Sequence, residues 1–290
     1  MLTEAFLPKN WLGAVNKFED ADWVMVGLPY DGTCSYRAGA RFAPQEIRLA
    51  SQGLETYSQV FDKDLSEISF YDAGELEFQF GNREDTLSKI ENTAREVFGQ
   101  DKKWFGIGGE HLVTLPAVKA CYEKNPELTI IQFDAHADAA ENYLEEKFSH
   151  ATVIRRVSEI IGADNLIQTG IRSGSKEEYD WMQENKTLYN TDEELITRIK
   201  TLGGAPIYLS IDLDVLDPSV FCGTGTPEPG GMSFNELIRK LGCLEGLNIV
   251  GVDVVELSPH YDASGVSAIT AAKVIREVLL LIKPLQKSNR

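Results

Sequence analysis

The segment formed by residues 128–138, LTIIQFDAHAD, constrains the fold of this chain more than any other. Its first part is a short apolar run rich in β-branched and aromatic residues, which predicts a strand buried on both faces. Asp134, His136 and Asp138 follow this run at a spacing of two. In an extended backbone, that spacing places all three side chains on one side. Because open parallel sheets carry their sites at the carboxyl ends of strands, the segment predicts a cluster of ligand-type side chains there.

Two other segments have the same design. Residues 206–216, PIYLSIDLDVL, form an apolar run followed by Asp212 and Asp214. Residues 104–115, WFGIGGEHLVTL, pass from a strand through a glycine turn to His111, at the expected start of a helix. Taken alone, a DxH or DxD pattern after a strand is most often a turn or helix-cap feature, and a lone histidine is most often structural. The three segments together are harder to explain in that way, because all of them would end at one edge of one parallel sheet.

The joint pattern predicts a metal centre. Carboxylates and imidazoles without thiolates suit Mn²⁺, Mg²⁺, Fe²⁺ or Zn²⁺, and the mixed ligand set favours Mn²⁺ over Ca²⁺. Two adjacent divalent ions would lower the pKa of a bridging water from near 16 towards roughly 7. We therefore expect two metal ions, side by side, held by the following residues: His111, Asp134, His136, Asp138, Asp212 and Asp214.

Strands and helices are expected to alternate along the chain, which predicts a parallel sheet with helices on both faces. Strands are predicted at 22–28, 68–72, 104–107, 128–133, 165–171, within 206–216 and at 248–255. Helices are predicted within 39–51 and at 82–100, 114–124, 151–161, 176–184, 192–202, 234–245 and 267–282. The first 20 residues are expected to be a loosely attached lead-in. No linker, repeat or low-complexity segment interrupts the pattern, so residues 1–290 are predicted to form a single domain.

Composition excludes several classes of function. Hydrophobic residues make up 43% of the chain and charged residues 25%, as in ordinary soluble proteins. No apolar run approaches the ~18 residues of a membrane span. The start of the chain lacks a basic segment followed by an apolar core, and the four scattered cysteines form no CxxC pair, so a cytoplasmic location is expected. The net charge of −17 disfavours a nucleic-acid partner and is compatible with a cationic small molecule, although acidity alone most often serves solubility.

Longer motifs resemble those of a known family. They are GGEH at 108–111, DAHAD at 134–138, SIDLDVLDPS at 210–219, GTGTPEPGG at 223–231, DVVELSP at 253–259 and PYDGTCSYRAGARFAPQEIR at 29–48. The chain resembles the ureohydrolases of the arginase/agmatinase family, and agmatinases most. This resemblance implies a three-layer α/β/α sandwich around a mostly parallel sheet of about eight strands. It also implies a binuclear manganese centre, hydrolysis of a guanidino group to urea and an amine, and a homo-oligomer, trimeric or hexameric.

The same resemblance implies roles for single residues. One manganese would be held by His111, Asp134, Asp138 and Asp212, and the other by Asp134, His136, Asp212 and Asp214. Asp138 would also bind the attacking oxygen and move its proton. Glu256 would pair with the guanidinium in a forked geometry, and His150 would carry a proton to the leaving amine.

The substrate is inferred from two departures. Arginases carry an asparagine two residues after DxHxD and a serine four residues before the proton-carrying histidine, and both help to bind the carboxylate end of arginine. Here these positions hold Ala140 and Glu146. A glutamate would repel a carboxylate, so the hypothesis is hydrolysis of agmatine to putrescine and urea. The alternatives are a guanidinobutyrase, an arginase, a formiminoglutamase, a deacetylase-like zinc hydrolase, or a silent protein that keeps the fold.

Overall fold

The computed structural model of this protein describes residues 10–282. Its strands are β1 (Trp23–Gly27), β2 (Tyr57–Ser58), β3 (Lys63–Asp64), β4 (Phe70–Glu75), β5 (Lys103–Ile107), β6 (Thr129–Phe133), β7 (Leu166–Thr169), β8 (Ile207–Asp212) and β9 (Ile249–Val255). Its α-helices are α1 (Ala43–Ser51), α2 (Arg83–Gly99), α3 (Thr114–Lys124), α4 (Val153–Ile161), α5 (Lys176–Asn185), α6 (Asp192–Lys200), α7 (Phe234–Gly242) and α8 (Val266–Leu281). The predicted alternation of strands and helices is confirmed, with bounds that differ by a few residues.

Seven of these strands form one sheet in the order β4-β1-β5-β9-β8-β6-β7. Every neighbouring pair in it is parallel. All residues of β1, β6 and β8 are buried, which explains their nearly continuous apolar sequences. In a parallel sheet all carboxyl ends lie at one edge, so the segments that follow β5, β6, β8 and β9 meet there.

Helices cover both faces of the sheet. Apolar side chains of α1, α6, α7 and α8 pack on one face, and those of α2, α3 and α4 pack on the other. The predicted three-layer α/β/α architecture is thereby confirmed. Within the described residues, none of the helices has both the length and the apolarity needed to cross a membrane.

Within residues 10–282, the sheet contains seven full strands rather than about eight. Beside β7, Leu188 makes a single parallel bridge with Gln168. The backbone N–H of Gln168 donates to Thr187 O at 2.8 Å, and that of Tyr189 donates to Gln168 O at 2.8 Å. The chain cannot continue along the sheet because Thr191 caps the start of α6 two residues later. An eighth strand is thus reduced to one bridge.

The prediction of a loosely attached lead-in is wrong for the residues that follow position 9. Trp11 is 2% exposed, and its backbone N–H donates to Asp72 Oδ2 at 2.8 Å. The same carboxylate is bound by two nitrogens of the buried Arg48 guanidinium, each at 2.8 Å. Val15 extends the contact by pairing with Tyr71 of β4. Residues 1–9, which belong to the same prediction, lie outside the described part of the chain.

Two glycines bring the ends of β1, β5 and β9 together. After β5 the backbone passes through Gly108 and Gly109 with φ of +78° and +82°. A Cβ on Gly109 would lie 2.3 Å from Leu28 O, closer than any real contact. The absence of a side chain lets Gly109 O accept the N–H of Glu256 at 3.0 Å. The glycine turn in the sequence is therefore required both by its backbone angles and by this close approach.

We expect Gly109→Ala to lower the free energy of unfolding by more than about 3 kcal/mol, because overpacking adds to the cost of a positive φ. Gly81→Ala is the matched control: its φ is +70°, and nothing lies within 4 Å of the added Cβ. That variant should lose only about 1 kcal/mol. Urea unfolding followed by circular dichroism measures both, and equal losses would show that the close approach has no energetic weight.

Candidate metal centre

His111 lies at the centre of the first group of ligand-type side chains. Its Nδ1 is 3.0 Å from Asp134 Oδ2, 3.0 Å from Asp138 Oδ2 and 3.5 Å from Asp212 Oδ2. The histidine follows the glycine turn after β5, whereas the aspartates follow or end β6 and β8. Three strand ends therefore contribute to one fully buried cluster.

A second group surrounds His136. Its Nδ1 lies 2.8 Å from Asp214 Oδ2 and 3.7 Å from Asp134 Oδ1. In the set His111, Asp134 and Asp212, and again in the set Asp134, His136 and Asp214, one ligand atom from each residue lies within 4.8 Å of the others. The two sets share Asp134, so they lie side by side. The structure brings the six predicted ligands close together, but Asp212, predicted to be shared, is in the first set only, and Asp138 is in neither set and joins the cluster through its contact with His111.

The electrostatics of the two groups show a deficit of positive charge. Burial, followed by the charge of Asp134, raises the pKa of Asp138 to about 7. Burial, followed by Asp214, raises the pKa of Asp212 well above its usual range. Burial acts against protonation of His136, yet Asp214 and Asp134 outweigh it and raise its pKa to about 12. Four buried carboxylates beside two imidazoles attract cations strongly. Oxygen and imidazole donors without a thiolate fit two divalent ions such as Mn²⁺.

The backbone of the DAHAD segment is not extended, so the same-side argument for its spacing is wrong. Strand β6 ends at Phe133, and Asp138 has φ of +49°. The residues converge because the chain bends: Asp134 Oδ1 accepts the N–H of His136 at 2.6 Å. The second segment also bends, since residues 213–215 form a 3₁₀ turn in which Asp212 Oδ1 accepts the N–H of Asp214 at 2.9 Å.

A buried relay of polar groups fixes the orientation of His111. Its Nε2 lies 2.9 Å from Ser210 Oγ, and Ser210 donates its own proton to Asp253 Oδ1 at 2.6 Å. Tyr208 donates to Asp253 Oδ2 at 2.7 Å. Because the Ser210 proton is committed to Asp253, the serine oxygen accepts from Nε2–H. Burial opposes protonation of His111, but Asp134 and Asp138 outweigh it and raise its pKa well above the usual range, so Nδ1 carries the proton that a metal ion would displace. Sequence reasoning missed Ser210 and Asp253, whose pairing follows from the register of β8 and β9.

Glu256 follows β9 with φ of +66°, an uncommon conformation for a side chain-bearing residue. Its Oε1 accepts the N–H of His111 at 2.8 Å. The side chain is 7% exposed, and burial, followed by the charge of Glu110, raises its pKa well above the usual range. A buried carboxylate of this kind is suited to a cationic partner.

A cavity of about 330 Å³ opens beside both groups. It is lined by Ser35, His136, Ala137, Asp138, Ala140, Tyr143, His150, Ala151, Ser173, Gly174, Glu178, Asp212, Thr226 and Glu256. A larger cavity of about 650 Å³, formed by residues 29–33 and 76–84 with Arg41, contains none of the predicted site residues. The smaller cavity is therefore the candidate substrate site.

His150 lies at the wall of this cavity. Its backbone N–H donates to Thr33 Oγ1 at 3.0 Å, and its ring edge faces Tyr143, with centroids 5.5 Å apart. Burial lowers the pKa of His150 to about 4, so the imidazole is neutral near pH 7. Thr33 was identified from the sequence only as part of the motif at 29–48 and without a role, although this segment follows β1 at the same sheet edge.

The structure gives Glu146 a different position from the one that the substrate argument assumed. Its carboxylate pairs with Arg83 Nη1 at 2.7 Å, and its side chain is 54% exposed. Glu146 does not line the cavity, whereas Ala140 does. The acidic group that does line it near α5 is Glu178, which sequence reasoning missed. Repulsion of a substrate carboxylate therefore has to come from Glu178 rather than from Glu146.

The relay to His111 can be tested through metal affinity. We expect Ser210→Ala to weaken binding of Mn²⁺ by about 10- to 100-fold, because it removes the acceptor that orients Nε2–H. Thr169→Val is the matched control, since the buried Thr169 Oγ1 has no hydrogen-bond partner. Calorimetric titration of metal-stripped protein with Mn²⁺ measures both. Equal affinities of the two variants would contradict a role for Ser210 in holding the ligand.

Comparisons with known proteins agree with this geometry. The model of the Arginase family matches residues 21–281. The agmatinase of Bacillus subtilis strain 168 is 43% identical over 282 residues, which cover 96% of this chain and 97% of that protein. A crystal structure from Clostridium difficile is 46% identical with a TM-score of 0.87, over 92% of this chain and 98% of that one. The agmatine ureohydrolase of Thermoplasma volcanium is 30% identical with a TM-score of 0.84, over 96% and 95% of the two chains. The chain therefore belongs to the arginase family, as its motifs had indicated.

Proposed function

We propose that this protein hydrolyses the guanidino group of agmatine to urea and putrescine and that it uses two Mn²⁺ ions per chain. The observation that carries the choice of substrate is the charge of the cavity. Among the described residues that line it, none is lysine or arginine, and two divalent ions would offset the charges of Asp138 and Asp212. Glu178 and Glu256 remain as the acidic groups that face the substrate. Such a cavity favours a substrate with a cation at both ends. The agmatinase names of relatives over nearly the whole chain agree with this proposal.

The metal ions would be held by the two groups already described, with Asp134 between them. When bound, two adjacent divalent ions act as Lewis acids and lower the pKa of a bound water. Ser210 would keep the Nδ1 lone pair of His111 directed at the first group. The Gln132 amide donates to Asp134 Oδ2 at 2.6 Å and restricts the shared carboxylate.

Glu256 would bind and orient the guanidinium. Its pKa is raised because the side chain is buried without a cation beside it. A guanidinium that donates two N–H groups would favour the ionised form of Glu256 and make a charge-assisted pair with it. The backbone of Glu256 is tied to Gly109 and its side chain to His111, so substrate and metal ligands are positioned by the same contacts. This rigid pairing supports Glu256 as the residue that aligns the reacting carbon.

Asp138 and His150 would transfer the protons of the attacking water. Hydrolysis adds a water oxygen to the guanidino carbon and breaks the bond to the chain nitrogen. Both water protons end on that nitrogen, so the amine leaves as an ammonium. The Asp138 carboxylate lies beside His111 in the first group and also lines the cavity, so it is placed to accept a proton from the attacking water. Burial keeps His150 neutral near pH 7, so its imidazole can take up a proton from Asp138 and pass it to the amine.

Substrate preference is tested with protein stripped of metal and reloaded with Mn²⁺. We expect kcat/KM for agmatine to exceed that for arginine or guanidinobutyrate by at least about 100-fold, because a buried, unpaired substrate carboxylate costs several kcal/mol. Urea release is the measurement, and elemental analysis should give two ions per chain. Preference for a carboxylated substrate would reject agmatinase in favour of an arginase or guanidinobutyrase. Far fewer than two ions would reject the binuclear centre.

Glu178 is proposed to bind the distal ammonium of agmatine. Its carboxylate is held in place by the N–H of Ala139 at 3.0 Å and that of Ser175 at 2.8 Å. We expect Glu178→Gln to raise KM for agmatine by about 10-fold with kcat within about 3-fold, the loss typical of one charge partner. Glu177→Gln, at an exposed neighbour on α5, is the control and should leave both constants unchanged. Equal KM values in the two variants would place the ammonium elsewhere.

A further inference from the structure

A chain of hydrogen-bonding side chains leads from the cavity to the buried Glu110. Tyr143 Oη donates to Ser35 Oγ at 3.2 Å, and Ser35 Oγ lies 3.4 Å from His150 Nε2. On the other side of the ring, His150 Nδ1 lies 3.3 Å from Thr33 Oγ1. Thr33 then donates to Glu110 Oε1 at 2.6 Å. Both ring nitrogens of His150 are thus faced by a hydroxyl.

The proton of Thr33 is committed to Glu110. Thr33 binds that carboxylate twice, through Oγ1–H to Oε1 at 2.6 Å and through its backbone N–H to Oε2 at 2.9 Å. Burial raises the pKa of Glu110 to about 7, whereas the backbone N–H groups of Thr33 and Cys34, which can only donate, favour its ionised form. A hydroxyl at 2.6 Å donates to that carboxylate. Because a hydroxyl has one proton, Thr33 Oγ1 can only accept from His150. It already accepts the backbone N–H of His150 at 3.0 Å.

This direction determines which ring nitrogen of His150 carries the proton. Nδ1 faces an oxygen that can only accept, so Nδ1 is protonated. Nε2 is then unprotonated, and its lone pair faces Ser35 Oγ at the wall of the cavity. Ser35 accepts from Tyr143 and keeps its own proton for Nε2. The four hydrogen bonds therefore run in one consistent direction from Tyr143 to Glu110.

We propose that Thr33, held on Glu110, is a positioning residue that fixes His150 as the Nδ1–H tautomer. Nε2 then carries no proton of its own, so it can take up the water proton released through Asp138 and pass it to the leaving amine. The role in turnover rests on the proposed function, because it acts through the proton transfer assigned to His150. The tautomer itself does not depend on that assignment. The competing explanation is that Thr33 only closes the loop after β1, where the N–H of Glu110 also donates to Tyr30 O at 2.7 Å.

The tautomer is measured without substrate. Protein labelled with ¹⁵N-histidine and loaded with diamagnetic Mg²⁺ is examined by solid-state ¹⁵N NMR at pH 8.5. The chain has only four histidines, so the His150 signals are those that disappear in His150→Asn. We expect a protonated Nδ1 and an unprotonated Nε2 in the wild type and in Thr33→Ser. An Nε2–H tautomer in the wild type would overturn the proposal, whether or not any Thr33 variant folds.

Kinetics with agmatine separate positioning from loop closure. Thr33→Ser keeps the hydroxyl that bonds Glu110 and His150, so its kcat should stay within about 3-fold of the wild-type value. Thr33→Val removes that hydroxyl and should lower kcat at least about 10-fold with little change in KM. In a His150→Asn background, Thr33→Val should have almost no further effect, because residues that act through one another are not additive. Thermal unfolding of all variants checks that they are folded.

The outcomes distinguish the two proposals. Absence of agmatine hydrolysis by the manganese-loaded wild type would reject the proposed function, and the NMR result would still decide the tautomer. If the wild type hydrolyses agmatine and Thr33→Val has the same kcat, the positioning role is overturned. A loss in Thr33→Val that adds fully to that of His150→Asn would overturn it as well.

Discussion

The mutual repulsion of four buried aspartates is the constraint on which the rest of this structure depends. Asp134, Asp138, Asp212 and Asp214 are each 7% exposed or less, and two imidazoles are their only cationic neighbours in the described clusters. Isolated buried carboxylates cost many kcal/mol, so they persist only where cations balance them. A parallel sheet makes such crowding possible, because it brings strand ends that are distant in sequence to one edge.

The backbone around the site is held in conformations that the local sequence does not favour. Asp138 and Glu256 both have positive φ, and both are fixed by contacts with other elements. Asp138 O accepts the N–H of Ile154 at the start of α4, and the N–H of Glu256 donates to Gly109 O. Strain of this kind persists only where surrounding structure outweighs it, and it concentrates at functional sites. The packing of α4 and the glycine turn therefore stabilise the site as well as the fold.

Sequence alone could predict the sheet with helices on both faces, most strands and the six ligand-type residues, because a short local sequence pattern indicates each of these features. It failed where partners are remote. Burial of Trp11 depends on Asp72, 61 positions away. The bend of DAHAD is local, since Asp134 accepts the N–H of His136, but the spacing of its ligands does not distinguish this bend from an extended chain. Thr33 and Ser210 lie in motifs of the family resemblance, but nothing in those motifs assigns either residue a role. Their importance appears only when sheet register and the loop after β1 place them against His150 and His111.

Charge inside the cavity, rather than charge on the whole chain, decides which substrate suits this site. The net charge of −17 creates a general attraction for cations, but screening by salt weakens it over about 10 Å. Glu146 illustrates the difference, since its pairing with Arg83 outside the cavity removes it from recognition. Glu256 is buried, Glu178 is half-buried, and both line the same cavity, so they discriminate between a cationic and an anionic end of the substrate. A carboxylate there would meet two like charges and no lysine or arginine among the described lining residues.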